Sequence, residues 1–312
     1  MTVYAWARPR PLARLPQPEA CYFDTDTDAR VLAHCNWQRD RRSAPALLLL
    51  HGLEGSSLAH YMRGIADKAW AAGFSVVRLN QRNCGGTEAL SRGLYHSGLT
   101  HDPLFLLRHM IDKERVPAIV VAGYSLGGNL TLKLAGDLGA ELPPQLKAVC
   151  AVSPTMDLAL CVDALERREN LFYQFNFMRN LRGRMKRKAA LFPELYDLGK
   201  LKGVWTVRGF DDAYTAPMNG FGTASRYYHQ ASSLRVADRI RVPALILTAA
   251  NDPFVPPEQF TRREVAGNPH VRVVITDDGG HCAFVSEPDS AHDGYWAEHA
   301  VVRWAQHHVG ER

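Results

Sequence analysis

Short, almost wholly apolar runs alternate with longer stretches of helical periodicity through most of this chain. Residues 47–50, 74–79, 118–122, 147–152, 244–249 and 271–275 are dominated by Leu, Val, Ile and Ala and show no regular polar face. That is the pattern of strands buried on both sides. Between them, residues 59–72 follow a helical pattern that stops at Gly73, and 126–138 place apolar side chains at 126, 130, 134 and 138. Another helix is expected after Asp102-Pro103, with Asp102 as its N-cap and Pro103 at its first position. A last helix is expected over 291–308. Strands alternating with helices in this way need crossover connections, so the pattern predicts a mostly parallel sheet with helices on both faces.

Two further strands, 20–23 and 30–37, precede this rhythm around the turn-forming Asp24-Thr25-Asp26-Thr27-Asp28. Residues 1–19, rich in Pro and Arg, are expected to wrap the surface. The rhythm breaks at Pro154. Residues 155–235 hold helix formers, aromatics and Arg without a strand-like run, and structureless stretches that long are rare in compact domains. They predict a helical lid (155–235) inserted into a core made of 1–154 and 236–312.

The break in the pattern that carries chemistry is Gly123-Tyr124-Ser125-Leu126-Gly127. It lies between a predicted buried strand and a predicted amphipathic helix. A serine hydroxyl presented at the tip of a sharp strand-to-helix turn needs small residues two positions before and after it, and Gly123 and Gly127 supply them. Ser125 is therefore the candidate nucleophile. It needs a base, and histidine is the usual one. In a nucleophile-elbow arrangement the chain order is serine, acid, histidine. Asp252 emerges at the end of the strand 244–249, and His281 follows the strand 271–275 through Asp277-Asp278-Gly279-Gly280. They are the candidate acid and base. Asp157 stands in reserve as the acid; Asp277 and Asp278 are nearer His281 in sequence but sit in a loop. His51-Gly52-Leu53-Glu54-Gly55 follows the first buried strand, where the second oxyanion donor is expected, so the amides of Leu53 and Leu126 are the candidate oxyanion hole. His51 itself is read as a brace for that loop rather than the base.

Composition narrows the class without changing it. The chain has 312 residues, 46% hydrophobic and 22% charged, with a formal charge of +5, too mild to imply nucleic-acid binding. Its six cysteines show no C-x-x-C spacing, which favours reduced thiols and a cytoplasmic home. The N-terminal residues hold no apolar stretch long enough for a signal peptide, and the longest apolar run near them, residues 44–50, is far too short to span a bilayer.

These motifs resemble those of YheT-like α/β-hydrolases. The matching stretches are His51-Gly52-Leu53-Glu54-Gly55-Ser56-Ser57, Asn80-x-Arg82-x-Cys84-Gly85-Gly86, Tyr95-His96-Ser97-Gly98, Gly123 to Asn129, Asp252-Pro253-Phe254, and Phe210 to Pro217 with Gly220-Phe221 and Tyr227-Tyr228. The likeness spans roughly residues 20–308. It implies an α/β-hydrolase fold with an eight-stranded sheet and a serine esterase with Ser125, Asp252 and His281 as its triad, working without metal or organic cofactor on a small-molecule or lipid-like ester. The family's usual Arg-Gly-Cys is Arg82-Asn83-Cys84 here, and its usual Asp-Leu is Asp102-Pro103. Acyl transfer through the same acyl-enzyme is the alternative within enzymes, and a non-catalytic binding protein the alternative outside them. Cys84 and His96 are read as structural. The aromatics Phe172, Phe175 and Phe177 are expected to line the acyl or alcohol pocket. The lid's Arg167, Arg168, Arg179, Arg182, Arg184, Lys186, Arg187 and Lys188 read as a solvated face, with an anionic lipid or phosphate-bearing substrate as the other possibility.

Overall fold

The computed structural model describes residues 8, 10, 12–288 and 293–310. Eight strands form one sheet in the order β1-β2-β4-β3-β5-β6-β7-β8. Strands β1 (Glu19–Asp26) and β2 (Ala29–Asn36) form an antiparallel hairpin, and β2 joins β4 (Ser75–Asn80) antiparallel. The remaining strands, β3 (Ala46–Leu50), β5 (Ile119–Tyr124), β6 (Leu146–Val152), β7 (Ala244–Ala249) and β8 (Val271–Thr276), run parallel with β4. The hairpin is tighter than its sequence suggests. Asp24, Thr25 and Asp26 belong to β1, and only Thr27 and Asp28 turn.

The apolar runs are buried on both faces because helices cover both. Alternate residues of one strand enter different cores. Leu47 and Leu49 pack with Met62 and Ile65 of α1 (His60–Ala71) and with Val301 and Val302 of the C-terminal helix. Leu48 and Leu50 pack with Leu106 and Leu107 of α2 (His101–Asp112) and Leu130 of α3 (Leu126–Leu138). Such period-two division of a strand between two cores is what a pleated ribbon imposes.

Two expected details differ. Asp102 does not cap α2. Thr100 stands at the N-cap without a side-chain bond, and the Asp102 carboxylate, buried inside the first turn, grips Arg82 through two hydrogen bonds of 2.7 Å. A two-pronged guanidinium partner outcompetes a single backbone amide for a buried carboxylate. The final helix begins at Trp296; the earlier start expected at 291 falls partly outside the described residues. The described N-terminal residues do wrap the core. Arg10 pairs with Glu298 at 2.8 Å, and the amides of Arg14 and Leu15 both reach Asp67 at 2.8 Å.

Between β6 and β7 the described chain holds helices and turns and no strand. The longer ones are α4 (Leu158–Leu165), α5 (Leu171–Leu191) and α6 (Ala224–Ala231); α7 (Trp296–Val309) closes the chain. Because β3 and β5–β8 are parallel, their C-terminal ends share one edge. His51, Ser125, Ser153, Asp252 and His281 all follow those ends, and the helical segment lies over them.

Candidate active site

Strand β5 turns into α3 within one residue, Ser125, whose backbone is at φ +55°, ψ −118°. A non-glycine residue held in this sparsely populated region stores strain that its surroundings must repay. The surroundings are explicit. A Cβ on Gly123 would lie 2.0 Å from the carbonyl oxygen of Gly127, and one on Gly127 would lie 2.3 Å from that of Leu50. No other residue fits either position. The Ser125 amide donates to Val152 of β6 at 2.8 Å, and the Ser125 carbonyl accepts from Asn129 at 3.0 Å. The serine is thus pinned from the neighbouring strand and from its own helix.

Asp252 and His281, on separate loops, meet. His281 Nδ1 lies 2.9 Å from Asp252 Oδ2. The other carboxylate oxygen, Oδ1, accepts from the amides of Phe254 and Val255 at 3.1 and 3.0 Å. The Asp252 side chain is fully buried and that of His281 nearly so. Burial by itself lowers the imidazole's pKa; the adjoining Cys282 and the Asp252 carboxylate outweigh it and hold the pKa well above the ordinary histidine range. Ser125 and His281 line one cavity, with Gly52, Tyr61, Tyr124, Phe254 and Cys282.

A second cavity of about 80 Å³ is also lined by Ser125. Its walls are mainly apolar, with Leu53, Leu126, Leu158, Val162, Phe177 and Leu181 among them. Phe177 borders both cavities. Phe172 and Phe175 border neither; they are 61% and 69% exposed, which corrects their expected place in the pocket. A helix shows one face to the core, and positions 172 and 175 lie on the opposite one.

The loop after β3 approaches Ser125 closely. A Cβ on Gly52 would fall 3.2 Å from Ser125 Cβ. Gly52 and Glu54 donate their amides to the hydroxyls of Tyr61 and Tyr95, at 3.0 and 2.9 Å. The Leu53 amide between them has no hydrogen-bond partner among the described residues, and the Leu126 amide opens α3, where no intrahelical acceptor exists. His51 is fully buried. Its Nε2 accepts from the Gln81 amide at 3.1 Å, which leaves the proton on Nδ1 to bond the Gly52 carbonyl at 2.8 Å. Burial pushes its pKa down to about 4. It is a neutral brace and is too committed to act as a base.

The other expected residues separate. Asp157 caps α4, accepting from the Leu160 amide at 3.2 Å. Asp278 is exposed and bonds Asn251 at 2.6 Å, and Asp277 faces solvent. Cys84 is buried, its thiol pushed up to about 12 by desolvation. His96 meets Phe221 edge-to-face and its pKa is lowered to about 4, again by burial. Asn83, where the family's glycine is usual, sits at φ +65°, a conformation asparagine tolerates better than other side chains. Asn129 holds the Tyr95–Gly98 stretch to the end of α6, donating to the carbonyls of Ser97 and Ala231, both at 2.9 Å. Among the described residues no group of three His, Cys, Asp or Glu is placed to hold a metal.

Several participants are not assigned a role from the sequence. Phe254 packs its ring 4.1 Å from the His281 ring, Tyr61 and Tyr95 orient the Gly52 loop, and Arg184 of α5 reaches Glu54. Only Phe254 and Tyr95 lie in recognised motifs. Arg184 is one cation among six in its helix, and nothing local marks it as the one that turns inward.

Residues 45–288 match the family model for the alpha/beta hydrolase fold. The chain belongs to the α/β-hydrolase family. Among curated relatives it is 32% identical to the candidate esterase YheT of Escherichia coli over 83% of this chain and 76% of that one, which places it with the YheT-like members. It is 30% identical to mouse phospholipase ABHD3 over 85% of this chain and 62% of that one. A third relative is the medium-chain fatty acid ethyl ester synthase/esterase 2 of Saccharomyces cerevisiae, 29% identical over 83% of this chain and 61% of the yeast protein. The chain thus spans less than two thirds of those two eukaryotic proteins. The fold is shared with Pyrococcus furiosus esterase Pf2001, with a TM-score of 0.61 at 16% identity, covering 97% of this chain and 99% of that one. This α/β-hydrolase chain therefore has esterases and a phospholipase among its homologues. Among the described residues no helix is long and apolar enough to cross a membrane.

Proposed function

We propose that this hydrolase cleaves carboxylic esters through an acyl-enzyme on Ser125, with residues 155–235 acting as a lid. The observation that carries the reading is the Asp252–His281 pair, joined at 2.9 Å, whose imidazole lines the same cavity as the strained Ser125. In this mechanism the substrate carbonyl sits against the amides of Leu53 and Leu126. His281 Nε2 takes the Ser125 proton as Oγ attacks, and Asp252 keeps the remaining proton on Nδ1 and stabilises the imidazolium. Collapse of the tetrahedral intermediate expels the alcohol, which receives its proton from His281. Water then repeats the sequence on the acyl-enzyme. Each oxyanion donor is worth roughly 2.7–4 kcal/mol of barrier.

The apolar cavity beside Ser125 supports an acyl chain of moderate length as the group enclosed. A fluorophosphonate probe tests the nucleophile directly: Ser125 should be labelled, and an unlabelled protein would defeat the proposal. A panel of esters graded by acyl length then tests the pocket. The yeast relative is named both synthase and esterase. An alcohol could therefore take the place of water here, and the ester-to-acid product ratio with and without added ethanol separates transfer from hydrolysis.

A further inference from the structure

Helix α5 turns two different faces to two different surroundings. Inward, Tyr173 and Phe177 pack on Phe254 with ring centroids 5.3 and 6.0 Å away, directly above His281. Outward, Leu171, Phe172 and Phe175 are 54%, 61% and 69% exposed, and Trp205, from the turn beyond the helix, is 71% exposed. Apart from Phe172, which lies beside them on the helix, these side chains share one surface. Leu171, Phe175, Met178, Arg182, Lys186 and Trp205 line one open groove. Isolated exposed apolar residues need no explanation; a contiguous aromatic patch does.

The helix that carries the patch bears charge of one sign. The helix Leu171–Leu191 contains six Lys and Arg and no acid. Arg184 and Lys188 are spent inside the protein, and Arg187 pairs with Glu88 at 2.6 Å. Arg182 donates to the carbonyls of Leu201 and Val204 at 3.0 and 2.8 Å and lies over the Trp205 ring. Arg179 and Lys186 remain exposed, about one and three turns beyond Phe175 along the same stripe. The stripe is thus aromatic at the helix's N-terminal end and cationic beyond it.

We infer that this outer face of α5, with Trp205, is a docking surface for the headgroup region of an anionic lipid bilayer. Aromatic and aliphatic side chains that enter the interface beside cations that meet anionic headgroups are the composition such a surface requires. A second copy of the chain offers the exposed Arg179 and Lys186 no anionic partner from the same helix, which has no acid. Docking by this face would bring the helix that roofs the candidate site to the surface where long-chain esters reside. The gain for catalysis rests on the ester reading above; the binding does not.

The experiment is flotation of the whole protein with vesicles of phosphatidylcholine and phosphatidylglycerol in equal parts, against vesicles of phosphatidylcholine alone. The wild type should float with the anionic vesicles and release as salt is raised. Phe172→Ser/Phe175→Ser/Trp205→Ser should abolish flotation, and Arg179→Gln/Lys186→Gln should weaken it on the order of tenfold. Both variants should keep wild-type melting behaviour and wild-type fluorophosphonate labelling, since these side chains face away from Ser125. No flotation by the wild type, or flotation unaltered in both variants, would overturn the inference. So would a wild-type dimer in light scattering that the triple variant dissolves, because the patch would then belong to a second copy. Failure of the ester reading would show separately, as absence of labelling in the wild type.

Discussion

Arg184 of α5 forms a buried ion pair with Glu54, the residue after Leu53: Nη1 and Oε1 are 2.8 Å apart. The guanidinium also lies 4.6 Å from the centre of the Tyr95 ring, and the Tyr95 hydroxyl bonds both the Glu54 carboxylate and the Glu54 amide. Glu54 itself is at φ +56°. The helix over the site and the loop beside Ser125 are therefore one unit. Burial works against the Arg184 charge, and Glu54 opposite more than offsets it, so its pKa is raised. Arg184→Met should cost about 3–5 kcal/mol in urea unfolding, because it strands the Glu54 carboxylate. Adding Glu54→Gln should recover part of the loss. A loss no larger than about 0.5 kcal/mol, the usual effect of a surface substitution, would show the pair contributes little.

Ser125→Ala should fold, escape fluorophosphonate labelling and lose turnover of activated esters by on the order of 10⁶-fold. Turnover close to wild type would remove Ser125 from the mechanism.

Asp252→Asn should lower turnover about 10⁴-fold by favouring the wrong His281 tautomer. Asp157→Asn keeps a capping side chain and should leave both turnover and melting nearly unchanged. The reverse pattern would move the acid to the end of β6.

The pH dependence follows from the His281 environment. In the proposed mechanism His281 must be neutral to accept the serine proton, so activity should rise with pH through one ionisation. Because the folded-state pKa is raised, its midpoint should lie above the ~6.5 of a free imidazole. Stability has the opposite sense. The stabilisation from the protonated pair is complete below the unfolded value and is lost as pH rises through the folded one. Profiles of kcat/KM and of melting temperature on the same protein check both, and a midpoint at or below ~6.5 would count against a raised His281 pKa.

Phe177→Ala should penalise longer acyl chains over acetate esters by on the order of 1–3 kcal/mol in relative kcat/KM. Phe172→Ala and Phe175→Ala should leave that preference unchanged. An equal loss at every chain length for Phe177→Ala would make it packing alone.

The strand–helix alternation, the elbow and the chain order of Ser125, Asp252 and His281 are legible because each is local. Burial on two faces demands a continuous apolar run, and a sharp turn demands glycines at 123 and 127. An eight-stranded, mostly parallel sheet follows from the alternation and the family resemblance together. Which carboxylate meets His281 is not local. Asp252, Asp157, Asp277 and Asp278 all follow strands, and the tertiary structure divides them by giving one to the imidazole, one to a helix terminus and two to solvent. Nor could the sequence say which cations of α5 turn inward or which of its aromatics reach the site. Arg184 and Phe177 differ from Lys186 and Phe175 only by the angle each takes around a helix whose docking is set by the rest of the chain. Composition and periodicity decide which elements form. Where a charge finds its partner depends on how those elements meet, since a buried ion is tolerated only at the place where another part of the fold supplies its counter-charge.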